Sequence, residues 1–187
     1  MDSQEAIRDE ILVLRCQEGD AAAFESLLER WQDRLWRHAC RITGDDDAAW
    51  DAIQDTWIDI SRCIRRLRTP SAFKAWAYRI TTNKRRDLIR KEKRRREVVE
   101  DFFEGAVVRE TPELNQANDP LPESLADAMK RLPGKDRTIL SLKYEEDFEI
   151  SEIAAILDIP EGTVKSRLYL ARIHLKNIME RRKNGRS

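Results

Sequence analysis

Side chains suited to nucleic-acid contact cluster on one predicted helix near the C-terminus. The stretch from Glu161 to about Met179 follows Pro160, which sets the backbone for a first helical turn. Its apolar residues recur within a narrow arc, so the opposite face is available for contact. Hydroxyls and cations on that face can bind phosphate oxygens and reach base edges in a DNA major groove. These side chains are Thr163, Lys165, Ser166, Arg167, Tyr169 and Arg172.

A shorter helix must position this one. Residues 151–157 carry Ile153, Ala154 and Leu157 as the predicted inward face, with Ser151 as the predicted N-cap. Two helices joined by a short turn have the outline of a helix-turn-helix DNA reader. An ordinary helical hairpin with a solvated basic face is the alternative. The hydroxyl-rich, cationic outward face of the second helix favours DNA binding.

A second cationic region lies in the first half of the chain. The run from Lys84 to Arg96 is strongly basic and follows a predicted helix that contains aromatic residues. Trp76 and Ile80 of that helix are predicted to face the protein core. Aromatic rings and cations on the opposite side would suit capture of a single nucleic-acid strand, although a solvated charged face is the alternative. The residues predicted on that side are Tyr78, Arg79, Thr82 and Arg86.

Other kinds of chemistry find little support in the sequence. The two histidines, His38 and His174, lie in different parts of the chain, and we predict a structural role for both. No second pair of ligands joins His38 and Cys40 into a tetrahedral metal site. The aspartates at 45–47 lack the glycine and glutamate of a calcium loop and are interpreted as a helix cap. We therefore expect no metal, no cofactor and no enzymatic activity.

The charge is balanced in total but segregated along the chain. The 187 residues include 35 Lys and Arg and 35 Asp and Glu, a formal net charge of zero. Charged residues make up 37% and aromatic residues 7%, which favours several amphipathic helices over one large core. There is no basic and apolar leader, and no apolar run reaches the roughly 18 residues of a membrane span. We therefore expect a cytoplasmic protein without a membrane partner.

Helical spacing predicts an all-α protein with two small domains. Apolar residues recur every three or four positions from Phe24 to Ile42, from Trp50 to Leu67, and from Phe73 to Ile80. An acidic stretch with Gly, Pro and Asn but no sustained period comes next and predicts a flexible linker. The helical period then returns and ends in the helix-turn-helix. The predicted units are residues 11–96, the linker 97–120 and residues 121–182.

The second predicted helix presents two contrasting faces. The residues predicted to face inward are Trp50, Ile53, Trp57 and Ile60. Ile58 is left on the outward face beside two carboxylates, an arrangement that favours a partner-binding surface. A solvated acidic face is the alternative. The outward face contains Asp51, Asp55, Ile58 and Arg62, with Gln54 at its flank, and the group predicted to bind a partner is Asp51, Gln54, Asp55 and Ile58.

Both halves of the chain resemble one protein family. The C-terminal half resembles the promoter-reading domain of extracytoplasmic-function (ECF) sigma factors of bacterial RNA polymerase, in LPGKDRTILSLKYEEDFEISEIAAILDIPEGTVKSRLYLAR. The N-terminal half resembles the core-binding segment of the same family in GDAAAFESLLERWQDRLWRHACRITGDDDAAWDAIQDTWIDI. It also resembles the promoter-melting segment in FKAWAYRITTNKRRDLIRKEKRR. The segments occur in the family's order, over roughly residues 11 to 180.

The resemblance implies a sigma factor, which binds core polymerase and directs initiation at specific promoters. The outward group Asp51, Gln54, Asp55 and Ile58 would bind the clamp helices of the polymerase. The C-terminal domain would lie near the polymerase flap and read the upstream promoter element through residues 163–172 of its second helix. The third helix and the loop before it would melt and hold the downstream element. The loop would cradle a base that is flipped out of the duplex. The residues implied in that role are Arg68, Ser71, Tyr78, Arg79, Thr82, Asn83 and Arg86.

The resemblance also bears on the linker and on further partners. In the family the linker enters the polymerase cleft, where acidic residues would imitate nucleic acid. The family implies a monomer outside the holoenzyme and admits an anti-sigma protein as a partner. Two departures affect details: Trp50 stands where the family often has an acid, and Leu170 stands where many relatives have a basic residue.

Two other functions remain open on the residues alone. One is an autonomous helix-turn-helix regulator whose N-terminal half dimerises and which recognises symmetric half-sites. The other is an RNA-binding or nucleic-acid-processing protein that uses the basic run. Dependence on core polymerase separates the sigma factor from both.

Overall fold

The chain forms an all-helical structure, as predicted, in a computed structural model that describes residues 3–84 and 124–184. Among these residues no strand occurs. The N-terminal helices are α1 (Ser3–Glu18), α2 (Ala21–Thr43), α3 (Asp46–Cys63) and α4 (73–84). Two 3₁₀ turns, Ile64–Arg66 and Pro70–Ala72, connect α3 to α4. The C-terminal helices are α5 (Leu125–Lys130), α6 (Gly134–Tyr144), α7 (Ile150–Leu157) and α8 (Glu161–Asn184).

The break between α2 and α3 follows from the local sequence. Gly44 has a left-handed conformation with φ 74°, and its N–H donates to the carbonyl of Cys40 at 2.9 Å, which ends α2. Asp45 then caps α3, because its carboxylate accepts from the backbone N–H of Asp47 at 2.9 Å. The prediction that this aspartate cluster is a helix cap is confirmed.

The N-terminal core lies between α1, α2 and α3. Trp31 and Leu35 of α2 are buried against Val13 of α1 and the inward face of α3. Each large apolar side chain buried in this way stabilises the fold by about 1.5–3 kcal/mol. Phe73, at the start of α4, meets Trp31 edge-on with 5.6 Å between ring centroids, which fixes where α4 enters the core.

The inward face of α3 was predicted correctly except at one position. Ile53, Trp57 and Ile60 are buried, but Trp50 is 45% exposed. The small residues of α3, such as Ala49, are also buried, and they centre the buried arc about 90° away from Trp50. Trp50 therefore lies at the edge of the core, where its ring lies 5.9 Å from that of Trp36.

The C-terminal core lies between α6, α7 and α8. Ile153 of α7 is buried as predicted, but Ile156 takes the buried position expected for Ala154 and Leu157, which are only partly buried. The N-cap of α7 is Glu149 rather than Ser151. Glu149 and Glu152 form a reciprocal capping box, which places the cap two residues earlier than predicted.

The two halves of the chain pack against each other and share one continuous apolar core. Helix α2 contacts α6, and Tyr78 of α4 and Phe148, in the loop between α6 and α7, are both fully buried. The sequence periodicity predicted two separate domains and did not indicate this contact between them. The predicted linker, residues 97–120, lies outside the described residues.

Candidate nucleic-acid and partner interfaces

Helix α8 presents the predicted reading face to solvent. Its first turn is set by the carbonyl of Pro160, which accepts from Thr163 N at 2.9 Å and Val164 N at 3.1 Å. Val164, Leu168 and Ala171 are buried and fix the rotation of the helix. Thr163 is partly buried, whereas the other five predicted reading residues are exposed. They are Lys165, Ser166, Arg167, Tyr169 and Arg172.

The position of α8 is held by contacts outside its reading face. His174 Nδ1 lies 2.5 Å from Asp136 Oδ2 of α6, so this histidine has the structural role that was predicted for it. Before α8, Asp158 has a left-handed conformation with φ 52°, and Ile159 N donates to Ala154 O at 3.1 Å. The turn is thereby closed tightly, as a helix-turn-helix requires.

The exposed face of α3 contains all four residues predicted to bind a partner. Asp51, Gln54 and Asp55 are exposed, and Ile58 is 45% exposed. Trp50 lies one helical turn before Gln54, so the two apolar side chains and two carboxylates form one surface. The exposure of Trp50, which corrects the sequence prediction, makes this surface more apolar than expected. We call Trp50, Asp51, Gln54, Asp55 and Ile58 the α3 face.

The residues predicted for single-strand capture are divided between surface and core. Arg68, Ser71, Arg79 and Asn83 are exposed, whereas Arg86 lies outside the described residues. The expectation that Tyr78 and Thr82 face outward is wrong for this conformation, because both are buried. Helix α4 is covered on two sides, by α2 and by the loop that contains Phe148, so a wider arc of the helix is buried than its sequence period indicates.

A buried polar contact connects α2 to α4. His38 Nε2 lies 3.0 Å from Thr82 Oγ1, and Thr82 Oγ1 donates to the carbonyl of Tyr78 at 2.9 Å. Since the hydroxyl proton is already used, Nε2 must carry the histidine proton and donate it to Thr82. His38 Nδ1 is then unprotonated, and it has no hydrogen-bond partner among the described residues.

Burial controls the protonation of this group of side chains. Burial, with a smaller contribution from the charge of Arg41, lowers the pKa of His38 from 6.5 to about 3. Burial also raises the pKa of Tyr78 far above its ordinary value, and the nearby charge of Glu146 acts in the same direction. Both side chains are therefore neutral at physiological pH.

Polar and aromatic contacts join the two halves of the chain. Arg41 of α2 forms an ion pair with Glu145, and Lys74 Nζ donates to the backbone carbonyl of Glu146. The Lys74 ammonium also lies 4.4 Å from the centroid of the Phe148 ring. Phe148 meets Tyr78 edge-on at 5.1 Å between centroids.

These contacts were missed by sequence reasoning. The signal that was available is the single aromatic residue of the acidic segment EEDFE, at residues 145–149. A side chain of this kind in a charged loop between two helices indicates an anchor rather than a solvated residue.

An apolar groove also runs between the two halves. It has a volume of about 1030 Å³ and is lined by residues of α2, α5, α6 and α8. Leu125 and Tyr144 line the groove and are 56% and 61% exposed. Leu125 borders this groove at the start of α5.

Neither a metal site nor a membrane-spanning helix occurs in the part of the chain that the structure describes. Residues 3–84 and 124–184 contain no group of three or more His, Cys, Asp or Glu side chains that could hold a metal ion. None of the helices in these ranges combines the length and the apolar character needed to cross a membrane.

Comparison with known proteins identifies the family. The family model Sigma-70 region 2 matches residues 27–95, and Sigma-70, region 4 matches residues 123–175. The chain is 32% identical over 182 residues to the ECF RNA polymerase sigma-E factor of Haemophilus influenzae, covering 92% of this chain and 96% of that protein. It is 31% identical to the ECF RNA polymerase sigma-E factor of Escherichia coli K12, covering 92% and 95%.

A solved structure supports the fold. The complex of sigma factor RpoE with the anti-sigma factor NepR from Bartonella quintana matches with a TM-score of 0.63 and 24% identity, over 84% of this chain and 96% of that one. Two matched regions in the order of the family, a near full-length relative and the shared fold all agree with the resemblance found in the sequence. The chain belongs to the ECF family of RNA polymerase sigma factors, which bind core polymerase and promoter DNA and direct transcription initiation.

Proposed function

We propose that the two surfaces described above divide the work of this sigma factor between polymerase binding and promoter reading. Residues 11–96 bind core polymerase and the downstream promoter element. Residues 121–182 read the upstream element, and residues 97–120 connect them. The observation that carries this assignment is the exposed row of hydroxyl and cationic side chains on α8, which lies away from the buried stripe of Val164, Leu168 and Ala171.

The reading face of α8 combines two kinds of contact. Lys165 and Arg172 lie on one flank, Arg167 lies on the other, and Ser166 and Tyr169 lie between them. Cations on the flanks suit phosphates on both sides of a major groove, whereas the central residues are placed to reach base edges. In the structure Arg172 Nε donates to Leu168 O at 3.1 Å, which leaves the terminal N–H groups of this exposed guanidinium available for phosphate contact.

The α3 face binds the polymerase. It joins two exposed carboxylates to two large apolar side chains, which suits a basic helical partner such as the polymerase clamp helices. The apolar side chains supply buried area at the centre of a contact, and Asp51 and Asp55 supply orientation and association rate. Trp50 in place of an acid shifts this balance toward apolar burial.

The downstream element is held by α4 and the loop before it. Arg68 and Ser71 of the loop and Arg79 and Asn83 of α4 are exposed and can bind a melted strand. Tyr78 joins them only when Phe148 leaves its ring, which requires the two halves of the chain to separate.

The protein works through binding alone, in the cytoplasm, without catalysis of its own. An anti-sigma protein is a further proposed partner, as RpoE of Bartonella quintana has in its solved complex. The apolar groove between the two halves supports this proposal, because Leu125 and Tyr144 leave a large apolar surface there that an apolar segment of a partner would cover.

Transcription in vitro tests the proposal directly. Genomic DNA fragments are transcribed by core polymerase with and without this protein, and the start sites are mapped. Discrete new start sites that require the protein are the expected result, and their upstream sequences give the promoter elements. Sequence-specific duplex binding by the protein alone, without core-dependent initiation, would instead indicate an autonomous regulator.

A further inference from the structure

A basic patch on the N-terminal half faces an acidic loop of the C-terminal half. The basic patch consists of Arg34, Arg37, Arg41 and Lys74, on α2 and the first turn of α4. The acidic loop consists of residues 145–147, which are Glu, Glu and Asp. Both line one polar cavity of about 340 Å³.

The acidic loop is seated on the patch by specific contacts. Glu145 pairs with Arg41, and the carbonyl of Glu146 accepts from Lys74. Phe148 follows directly and is buried against Tyr78 and Lys74. Asp147 has a left-handed conformation with φ 55°, which is uncommon outside glycine. These tertiary contacts hold the loop in that conformation.

The grouping of cations is unfavourable unless anions lie nearby. Burial lowers the pKa of Lys74, the positive charge of Arg34 lowers it further, and Glu146 and Asp147 act in the opposite direction. When the two halves separate, the patch loses these anions and regains its affinity for others. A chain of phosphates is the polyanion that a promoter supplies.

The location of the patch indicates which nucleic acid it meets. Lys74 lies two residues after the turn Pro70–Ala72, next to the loop proposed to hold the downstream element. When Phe148 leaves, the Tyr78 ring loses its cover on the side near Lys74, while His38 still packs on it with 4.8 Å between ring centroids. An aromatic ring next to several cations is the arrangement that captures single strands, by stacking and by phosphate contact.

We propose that the basic patch of Arg34, Arg37, Arg41 and Lys74 binds backbone phosphates of single-stranded promoter DNA, and that the acidic loop occupies the same patch as an intramolecular competitor. This inference rests on the proposed function of α4 and its preceding loop. The loop and the strand exclude each other because both require the same cations. Free protein then binds single strands weakly, since the competent state is only a fraction of the population.

Fluorescence anisotropy of a labelled single-stranded DNA oligonucleotide tests the competition, with the full chain and no polymerase. The loop variant is Glu145→Gln, Glu146→Gln and Asp147→Asn together. Because it weakens exposed or partly exposed charge contacts, it should bind the oligonucleotide about fivefold more tightly than the wild type. The matched control changes three exposed acids elsewhere, Glu5, Glu25 and Glu29, to Gln and should raise the affinity much less. The single change Glu145→Gln, at a half-exposed position, serves if the triple variant does not fold.

A second pair of variants tests the patch itself. Arg37 is exposed, so Arg37→Ala in the loop variant should return the affinity toward the wild-type value. It should also reduce the slope of log K against log salt by about 0.7, the value for one phosphate contact on a single strand. Arg8→Ala, at an exposed position of α1, is the control and should leave both unchanged.

The outcomes separate this inference from the proposed function. Equal affinity of the loop variant and its acid control would overturn the competition, and equal effects of Arg37→Ala and Arg8→Ala would overturn the phosphate site. Binding of each variant to core polymerase is measured in parallel by gel filtration. If the wild type does not bind core polymerase, the proposed function is contradicted, whereas the result of the DNA-binding experiment is unaffected.

Discussion

The buried histidine between α2 and α4 should make the stability of this protein depend steeply on pH. His38 is fully buried, its Nε2–H donates to Thr82, and its Nδ1 has no partner among the described residues. Protonation of Nδ1 would therefore place a positive charge and an unsatisfied donor in the core. The pKa of about 3 in the folded state, against 6.5 in the unfolded chain, expresses that penalty.

The sign and size of the effect follow from proton linkage. Between pH 6.5 and pH 3 the unfolded chain binds a proton at His38 that the folded chain does not, so stability falls as the pH falls. The slope approaches about 1.4 kcal/mol per pH unit below about pH 6. From pH 7 to pH 5 the expected loss from this single group is about 2 kcal/mol.

Urea denaturation followed by tryptophan fluorescence, at fixed ionic strength and pH 7, 6 and 5, measures this dependence. The variant His38→Gln can still donate to Thr82 but cannot take up a proton in this range. We expect it to be less stable than the wild type at pH 7, with about 2 kcal/mol less loss between pH 7 and pH 5. His174→Gln, which removes the exposed histidine, is the control and should retain the steep dependence. If His38→Gln loses as much stability as the wild type over the same range, His38 is not the source of the pH dependence.

Three further predictions concern the polymerase contact, the reading face and the break between α2 and α3. Asp55→Arg should weaken core binding at least about tenfold by reversing an exposed charge on the α3 face, whereas Glu25→Arg on α2 should not. Gel filtration with core polymerase measures both variants. A folded Asp55→Arg protein that still binds core would contradict the assignment. Arg167→Ala should cost about 1–3 kcal/mol of promoter affinity in the holoenzyme, seen by footprinting; an unchanged footprint at all promoters would exclude a reading role. Gly44→Ala should destabilise the fold by about 1–2 kcal/mol, because alanine is strained at φ 74° although nothing fills the space around it. Gly162→Ala, in the first turn of α8 with open space around it, should be neutral or stabilising in the same urea experiment.

Helix boundaries and the reading face were predictable because they depend on local rules. Asp45 caps α3 and Gly44 ends α2 through bonds to residues within four positions. The rotation of α8 follows from Val164, Leu168 and Ala171, whose spacing is visible in the sequence. The α3 face was predicted for the same reason, since a helix that buries Ile53 and Ile60 must expose the residues opposite them.

The errors occurred where packing between helices decides the outcome. Trp50 looked like a core residue by type, but small side chains in α3 moved the buried arc away from it. Tyr78 and Thr82 looked like surface residues by period, but α4 is covered from two sides. Periodicity assumes one buried face for each helix and fails when a second element covers another face.

Sequence patterns were sufficient to predict the all-helical fold, the helix-turn-helix, the exposed residues of α3 and α8, and the family. These features depend on short-range hydrogen bonds, capping residues and apolar spacing, which are all encoded within a few turns of one helix. Three features depend on how distant segments pack together: the acidic loop at 145–147 lies on the basic patch, Phe148 covers Tyr78, and His38 is neutral in the core. Those contacts join residues far apart in the chain, 44 positions for His38 and Thr82 and 72 for Lys74 and Glu146. No local pattern specifies which distant surface a side chain will meet.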